Sequence, residues 1–298
     1  MIIATQTLAL IEEKMVADQG ASFRVELGKA VLDCPDAYRG QEDPFRKHLG
    51  ASLIGRECAR ELWYSFHWCL AKKHAGRILR LFNRGHLEEA RFIAILRSIG
   101  FEVWQTDGEG KQFRINDHNG HFGGSMDGVG RGCPDLPPAV PFVQEFKTHG
   151  DKSFQKLKAE GVLAAKWEHY VQMQIYMGKN GIEWGLYFAV NKNDDELHAE
   201  ILPFDLSTYQ RYLDRAGLII MATEPPPKIN ESPGWFKCRF CDYRGICHLG
   251  EEVAINCRTC ATSRPGLNGK WVCQVCECEL EVEHQFKGCS GYTKHPTL

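Results

Sequence analysis

Three short stretches carry side chains that could act together on phosphorus. Phe122 to Gly130 reads FGGSMDGVG, Val143 to His149 reads VQEFKTH, and His169 to Met177 reads HYVQMQIYM. Hydrolysing a phosphodiester requires a cation that neutralises charge developing on phosphorus and activates a water. Carboxylates are the natural ligands for hard ions such as Mg²⁺ or Mn²⁺. Asp127 and Glu145 are the candidates. In an extended VQEFKTH the side chains alternate, so Glu145 and Lys147 share a face with Val143, while Phe146 points to the other. Glu145 is then placed to bind metal, and Lys147 to orient or help deprotonate the attacking water. Gly123 and Gly124 would let backbone or phosphate come close. Gln172 and Tyr176 are four residues apart and lie on one helical face. Singly, each feature has an ordinary explanation: a solvated strand face, an Asp-Gly turn, an amphipathic helix. The information lies in Asp127 standing eighteen residues before Glu145, with a Gln-x-x-x-Tyr helix to follow.

Those motifs need a scaffold, and the chain is long enough to build one. It has 298 residues, 43% hydrophobic and 25% charged, which suits a globular protein with a real core. No apolar run reaches the length of a membrane span. The start, Met1 to Gly20, lacks a basic n-region, and Glu12, Glu13 and Lys14 interrupt any apolar stretch, so a mature cytoplasmic N-terminus is expected. A net charge of −2 does not advertise nucleic acid. Lys147, Lys152, Lys156, Lys158 and Lys166 nevertheless form a local basic strip.

Along the chain, a helix is expected near Thr7 to Ala17, then a loop around Pro35, Gly40 and Pro44. Cys58, Leu62, Phe66 and Cys69 keep near-helical spacing within 51–82, and 83–99 reads as an amphipathic helix. Strands are expected at Phe101 to Thr106, Phe113 to Asp117, Phe122 to Met126 and Pro141 to Thr148. A Gly- and Pro-rich loop should join the last two. Ser153 to Val162 should be helix or loop. Glu183 to Lys192 and Glu196 to Phe204 read as a hairpin, and Leu206 to Thr223 as a closing helix that ends at Glu224-Pro225-Pro226-Pro227.

Asp127, Glu145-Phe146-Lys147 and Gln172 to Tyr176 resemble the PD-(D/E)xK nucleases. The resemblance is to the RecB-type branch, which carries the QxxxY helix and includes CRISPR-associated nucleases and many phage exonucleases. It covers roughly residues 50 to 250. It implies an α/β, restriction-endonuclease-like core: a small mixed sheet flanked by helices. It implies that Asp127 and Glu145 bind Mg²⁺ or Mn²⁺ with the Phe146 carbonyl as a further ligand, that Lys147 is catalytic, and that Gln172 and Tyr176 steady the site and the DNA. Arg84-Gly85-His86 followed by Glu89 is similar to the family's first motif. That motif places Glu89, or His86 as second choice, near the metal.

Nine of the thirteen cysteines lie between Cys238 and Cys289. In a cytosolic chain, clustered Cys-x-x-Cys spacings read as metal sites before disulfides. Cys238, Cys241 and Cys247 supply three thiolates. Some RecB-type nucleases hold an iron–sulfur cluster with one Cys before the core and three after it. That resemblance makes Cys58 the fourth ligand of a structural [4Fe–4S] cluster. Zinc is the chemical alternative, with His248 adjacent. Cys34, Cys69 and Cys133 are read as ordinary thiols. In the tail, Cys257-x2-Cys260 and Cys273 have zinc-ribbon-like spacing. Spacing points to Cys276 as the fourth ligand. A similarity to C-terminal extensions of some phage nucleases points to Cys289, with His284 or His295 as outsiders. So short a tail needs a staple of this kind.

The sequence therefore implies an N-terminal helical and loop segment (1–50), a nuclease domain closed by an iron–sulfur-type motif (51–250), and a zinc-ribbon-like extension (251–298). The expected activity is metal-dependent DNA hydrolysis, as an exonuclease on ends or single strands that leaves 5′-phosphate and 3′-hydroxyl. The expected location is the cytoplasm, the host's if the chain is phage-encoded, with no membrane partner. A non-catalytic nucleic-acid-binding module would also explain both cysteine groups. An iron–sulfur redox protein finds little support, because no GxGxxG follows a strand.

Overall fold

A computed structural model describes residues 1–33 and 45–298. The loop expected around Pro35, Gly40 and Pro44, and the thiol of Cys34, lie outside the described residues. The chain separates into two units. The first comprises Met1–Glu42, His74–Ile115 and Ser125–Tyr209; the second comprises Asp43–Lys73, Asn116–Gly124 and Gln210–Leu298. The segment 1–50 thus contributes to both units, as does 51–250, and 251–298 lies within the second.

The first unit is α/β. Its elements are β1 (Ile2–Ile3), α1 (Thr5–Ala17), α2 (Ala21–Ala30), α3 (Gly76–Ser98), β2 (Glu102–Trp104), β3 (Gly128–Arg131), β4 (Phe142–His149), α4 (Asp151–Ala165), α5 (Trp167–Asn180), β5 (Trp184–Asn191) and β6 (Leu197–Pro203). Six strands form one mixed sheet in the order β1-β6-β5-β4-β3-β2. Only β4 and β5 pair in parallel, with Glu145 opposite Tyr187 and Lys147 opposite Ala189. A parallel pair requires a crossover, and α4 and α5 supply it.

Alternation along β4 divides its side chains between two layers. Phe142 and Phe146 join Phe92, Ile93 and Leu96 of α3, Leu186 and Phe188 of β5 and Ile11 of α1 in one apolar cluster. Phe92 is the hub, with ring centroids 5.1 Å from Phe146 and 5.0 Å from Phe188. Val143, Glu145, Lys147 and His149 face the other way, the side on which α5 packs. Gly185 lets α5 lie close to the sheet, because a β-carbon there would meet Met173; on its other side a β-carbon on Gly178 of α5 would run into the Tyr209 ring.

In the second unit, Ala59–Phe66 and Leu206–Met221 are the main helices, the latter beginning at the close of the first unit. Phe236–Arg239 and Arg244–Leu249 are short helices. Ser263–Pro265, Trp271–Cys273 and Cys278–Leu280 form an antiparallel three-stranded sheet. Arg258 is buried there with its guanidinium 3.7 Å from the Trp68 ring centroid and 4.9 Å from that of Trp271. It donates to the carbonyls of Phe66 and Lys47 and to Gln285.

Two expectations are corrected. The stretch 51–82 is not one helix. Ala59–Phe66 ends in a left-handed residue, Trp68 (φ 55°), with Cys69 N–H bonding Tyr64 O and Trp68 N–H bonding Ser65 O. That is a Schellman closure, and it stops a helix whatever the apolar spacing beyond it. Helix α3 then starts afresh at Gly76. Second, Gly128–Arg131 lies in the expected loop but is a strand. Glycine is required here: Gly128 has φ +156°, and side chains on Gly128 and Gly130 would collide with Gln144. Neighbouring strands, rather than β propensity, make this segment extended.

Replacing Phe92 by Ala should cost about 3–5 kcal/mol, the usual cost of deleting a buried aromatic. Urea unfolding of wild type and variant measures it. A loss below about 1 kcal/mol would show that Phe92 is not the hub of this core.

Candidate active site

Glu145 sits in the middle of β4 and is fully buried. A carboxylate there needs partners, and two neighbouring elements supply them. Lys147, two residues on and on the same face, donates to Glu145 Oε1 and lies 3.2 Å from the Phe146 carbonyl oxygen. Gln172 of α5 donates from Nε2 to Glu145 Oε2 at 3.1 Å. The same amide is 3.4 Å from the Tyr176 hydroxyl, which donates to the Ser125 carbonyl at 2.8 Å. Asp127, just before β3, accepts the Phe146 backbone N–H at 2.7 Å through Oδ2. Asp127, Glu145, Phe146, Lys147, Gln172 and Tyr176 thus form one connected network.

The electrostatics of the pair have a clear direction. Burial drives the Glu145 carboxyl up; Lys147 opposes that shift and Asp127 adds to it. Burial alone would lower Lys147, but the charges of Glu145 and Asp127 outweigh it, and Glu89 adds to the rise. The centre therefore has three carboxylates, Glu145, Asp127 and Glu89, within electrostatic reach of a single ammonium. That arrangement favours additional positive charge. Asp127, Glu145 and the Phe146 carbonyl are hard oxygen donors, so the residues present fit Mg²⁺ or Mn²⁺ chemically. Among the described residues, no group of three or more His, Cys, Asp or Glu side chains is gathered closely enough to hold a metal ion as it stands.

Glu89 and His86 both lie on α3 and are half-buried. Glu89 acts on Lys147 through its charge. Its neighbour Glu88 is the buried one, paired with Arg91. Tyr187, His149 and His169 lie beside the centre, and residue spacing alone did not mark them as site residues. His149 Nε2 is 2.8 Å and His169 Nδ1 2.9 Å from the Tyr187 hydroxyl. Their only advance signal was register: His149 shares the face of Glu145 and Lys147, and Tyr187 pairs with Glu145.

The cysteine groups lie in the second unit. Cys58 precedes the helix Ala59–Phe66, Cys238 and Cys247 sit on the two short helices, and Cys241 N–H bonds Cys238 O at 3.1 Å. Burial raises the thiols of Cys238, Cys241 and Cys247, and Cys58 raises each further, so Cys58 lies within electrostatic reach of all three. Cys257 is pushed up to about 11 by burial, then by Cys289, Cys260 and Cys273. Cys257 Sγ also lies 3.6 Å from the Lys287 carbonyl oxygen, which draws the Cys289 segment to it. Cys276 is disulfide-bonded to Cys278. His284 and His295 supply backbone and side-chain contacts: the His284 carbonyl is 3.7 Å from Cys257 Sγ, and His295 Nδ1 is 2.8 Å from Thr297 Oγ1.

No protein-family model matches the chain, and no curated protein matches it. Solved structures similar to it include one described as SSO0001, at 17% identity and TM-score 0.38, covering 77% of this chain and 96% of that one. The alkaline exonuclease LHK-Exo from Laribacter hongkongensis is similar at 15% identity and TM-score 0.39, covering 58% and 86%, and has also been solved in complex with dAMP. At that distance neither likeness bears on what this chain does. No helix among the described residues is long and apolar enough to cross a membrane.

Burial first, then nearby lysines, hold His149 down to about 4 and His169 down to about 2. Both are neutral at pH 7, whereas in the unfolded chain each titrates near 6.5. Below that pH the unfolded chain binds protons that the folded one refuses. The stability present above pH 6.5 should therefore fall as pH drops toward 4, by about 1.4 kcal/mol per pH unit for His149. Imidazole NMR titration checks the cause. Resonances of His149 and His169 titrating near 6.5 in the folded protein would contradict it.

Proposed function

We propose that the chain is a divalent-metal-dependent deoxyribonuclease of the PD-(D/E)xK class, RecB-type, acting as an exonuclease on DNA ends or single strands. The observation that carries this reading is the Glu145 carboxylate, bonded at once to Lys147 and Gln172 with Asp127 anchored to the next peptide. Asp127, Glu145 and the Phe146 carbonyl would hold Mg²⁺ or Mn²⁺, with Glu89 or His86 as further donors. The ion would supply charge neutralisation on the phosphoryl oxygens and a more acidic water. Lys147 orients the attacking water and balances the two carboxylates. Gln172 fixes the rotamer of Glu145, and Tyr176 fixes Gln172 against the Ser125 carbonyl. In-line attack would leave a 5′-phosphate and a 3′-hydroxyl.

The second unit is read as carrying two structural centres: a [4Fe–4S] cluster, or zinc, on Cys58, Cys238, Cys241 and Cys247, and Zn²⁺ on Cys257, Cys260, Cys273 and Cys289. The mutual charge effects among the thiols of each set support these groupings. The protein is expected to work in the cytoplasm, the host's if it is phage-encoded.

End-labelled single- and double-stranded DNA, incubated with anaerobically purified protein and Mn²⁺ or Mg²⁺, tests the activity. Glu145→Ala and Lys147→Ala should each lower cleavage on the order of 10²-fold or more with circular dichroism unchanged, and a chelator should abolish it. Normal cleavage by Glu145→Ala would overturn the site. DNA binding without cleavage under any divalent ion would favour a non-catalytic binding module. Metal analysis of the same preparation should find iron and zinc, with both lost when cysteines of the respective set are replaced by Ser.

A further inference from the structure

A second polar cluster lies on the same sheet face as the candidate centre. It begins at Lys166, the residue before α5. Its ammonium is 2.5 Å from Ser153 Oγ and pairs with no carboxylate among the described residues. Ser153 Oγ lies 3.3 Å from His149 Nδ1. His149 Nε2 is 2.8 Å from the Tyr187 hydroxyl, and that hydroxyl is 2.9 Å from His169 Nδ1. His169, half-buried in the first turn of α5, makes no further hydrogen bond among the described residues through Nε2.

The proton inventory gives this chain a direction. An ammonium can only donate, so Ser153 Oγ accepts from Lys166. The arrangement that gives both hydroxyl protons an acceptor then runs from Ser153 to His149 Nδ1, from His149 Nε2–H to Tyr187, and from Tyr187 to His169 Nδ1. That tautomer, assigned from the network, leaves His169 presenting Nε2–H outward. The relay thus ends in a lysine ammonium at one end and an imidazole N–H at the other.

The surroundings are cationic. Lys147, Lys166 and Lys192 all act on His149, and Lys147 and Lys166 act on His169. No carboxylate figures among the leading influences on either imidazole. Glu168, in the same turn, is exposed. Helix α5 also has no side-chain N-cap, so its first amides add partial positive charge toward this end.

We propose that Lys166 and His169, held by the Ser153–His149–Tyr187 relay, form a phosphate-binding subsite beside Glu145 and Lys147. This deepens the nuclease reading and rests on it for the identity of the substrate. The ligand is a phosphoryl group. It is either an internal diester of the strand being cut, adjacent to the one hydrolysed, or a terminal phosphomonoester. Lys166 supplies the charge, and His169 supplies a directional donor whose tautomer the relay fixes.

The first test needs no catalysis. Inorganic phosphate is titrated into metal-free protein while the His169 imidazole is followed by NMR, with chloride at matched ionic strength as control. Saturable perturbation by phosphate alone is expected, and Lys166→Ala should weaken it about tenfold or more while Lys166→Arg restores it. Lys147→Ala, inactive under the nuclease reading, should still bind phosphate. No perturbation in wild type, or equal binding by Lys166→Ala, overturns the subsite whether or not the protein cleaves DNA.

The second test identifies the source of the phosphate. Lys166→Ala and His169→Ala are assayed on linear DNA with 5′-phosphate, linear DNA with 5′-hydroxyl, and circular single strands. A rise in KM exceeding the fall in kcat on all substrates supports the internal diester. A rise confined to 5′-phosphorylated DNA supports the terminal monoester. Unchanged KM on all three overturns the proposal.

Discussion

A carboxylate buried in the centre of a sheet stays charged only if positive charge and hydrogen-bond donors are built around it. Glu145 is that group in this protein, and the first unit can be understood from its requirements. The strand that carries it must also carry the lysine that balances it, because an extended chain returns to the same face every second residue. The helix that donates to its other oxygen must pass directly above the sheet. A second carboxylate must come near enough to make the centre attract a cation, yet be held by something else. The Phe146 backbone N–H does this for Asp127. Removing Lys147 or Gln172 leaves the buried Glu145 carboxyl short of one partner.

Those requirements are met by a topology rather than by local preference. Because β4 and β5 run parallel, the chain must cross over between them, and the crossover helix α5 carries Gln172 and Tyr176 over β4. Gly185 allows α5 to approach the sheet closely, since a β-carbon there would meet Met173. The opposite face of β4 is sealed by Phe142 and Phe146 against α3, so one strand serves both as core and as floor of the site. The same crossover carries Lys166 and His169 to the polar face, where Lys166 bonds Ser153.

The second unit solves a different problem. It is rich in loops and short elements, and its organised part centres on Arg258, packed between indole rings and bonded to three carbonyl oxygens. A buried guanidinium is costly unless every face and donor is used. Here the rings cover its faces and carbonyls take its edge. Cys257 and Cys260 flank this arginine in sequence, so packing around Arg258 also fixes where their thiols lie.

Much of the site was legible in advance because its members obey local periodicities. Glu145 and Lys147 follow the two-residue repeat of a strand, and Gln172 and Tyr176 the turn of a helix. The α/β order of elements and the hairpin of β5 and β6 follow from the same hydrophobic patterning. Three things were not legible. The break at Trp68 depends on a left-handed bulky residue held by its surroundings, where sequence statistics expect glycine. Strand β3 exists because Gln144 and the neighbouring strands require glycines there. The His149–Tyr187–His169 relay joins three elements through a parallel register that no local pattern encodes. The sequence by itself determined which groups could do chemistry and which face of its own element each would occupy, since those depend on bonds a few residues apart. Only the tertiary structure decided which faces meet and how deeply Glu145 is buried. Those depend on packing between segments distant in the chain, where the energy of each contact exists only once all the others are made.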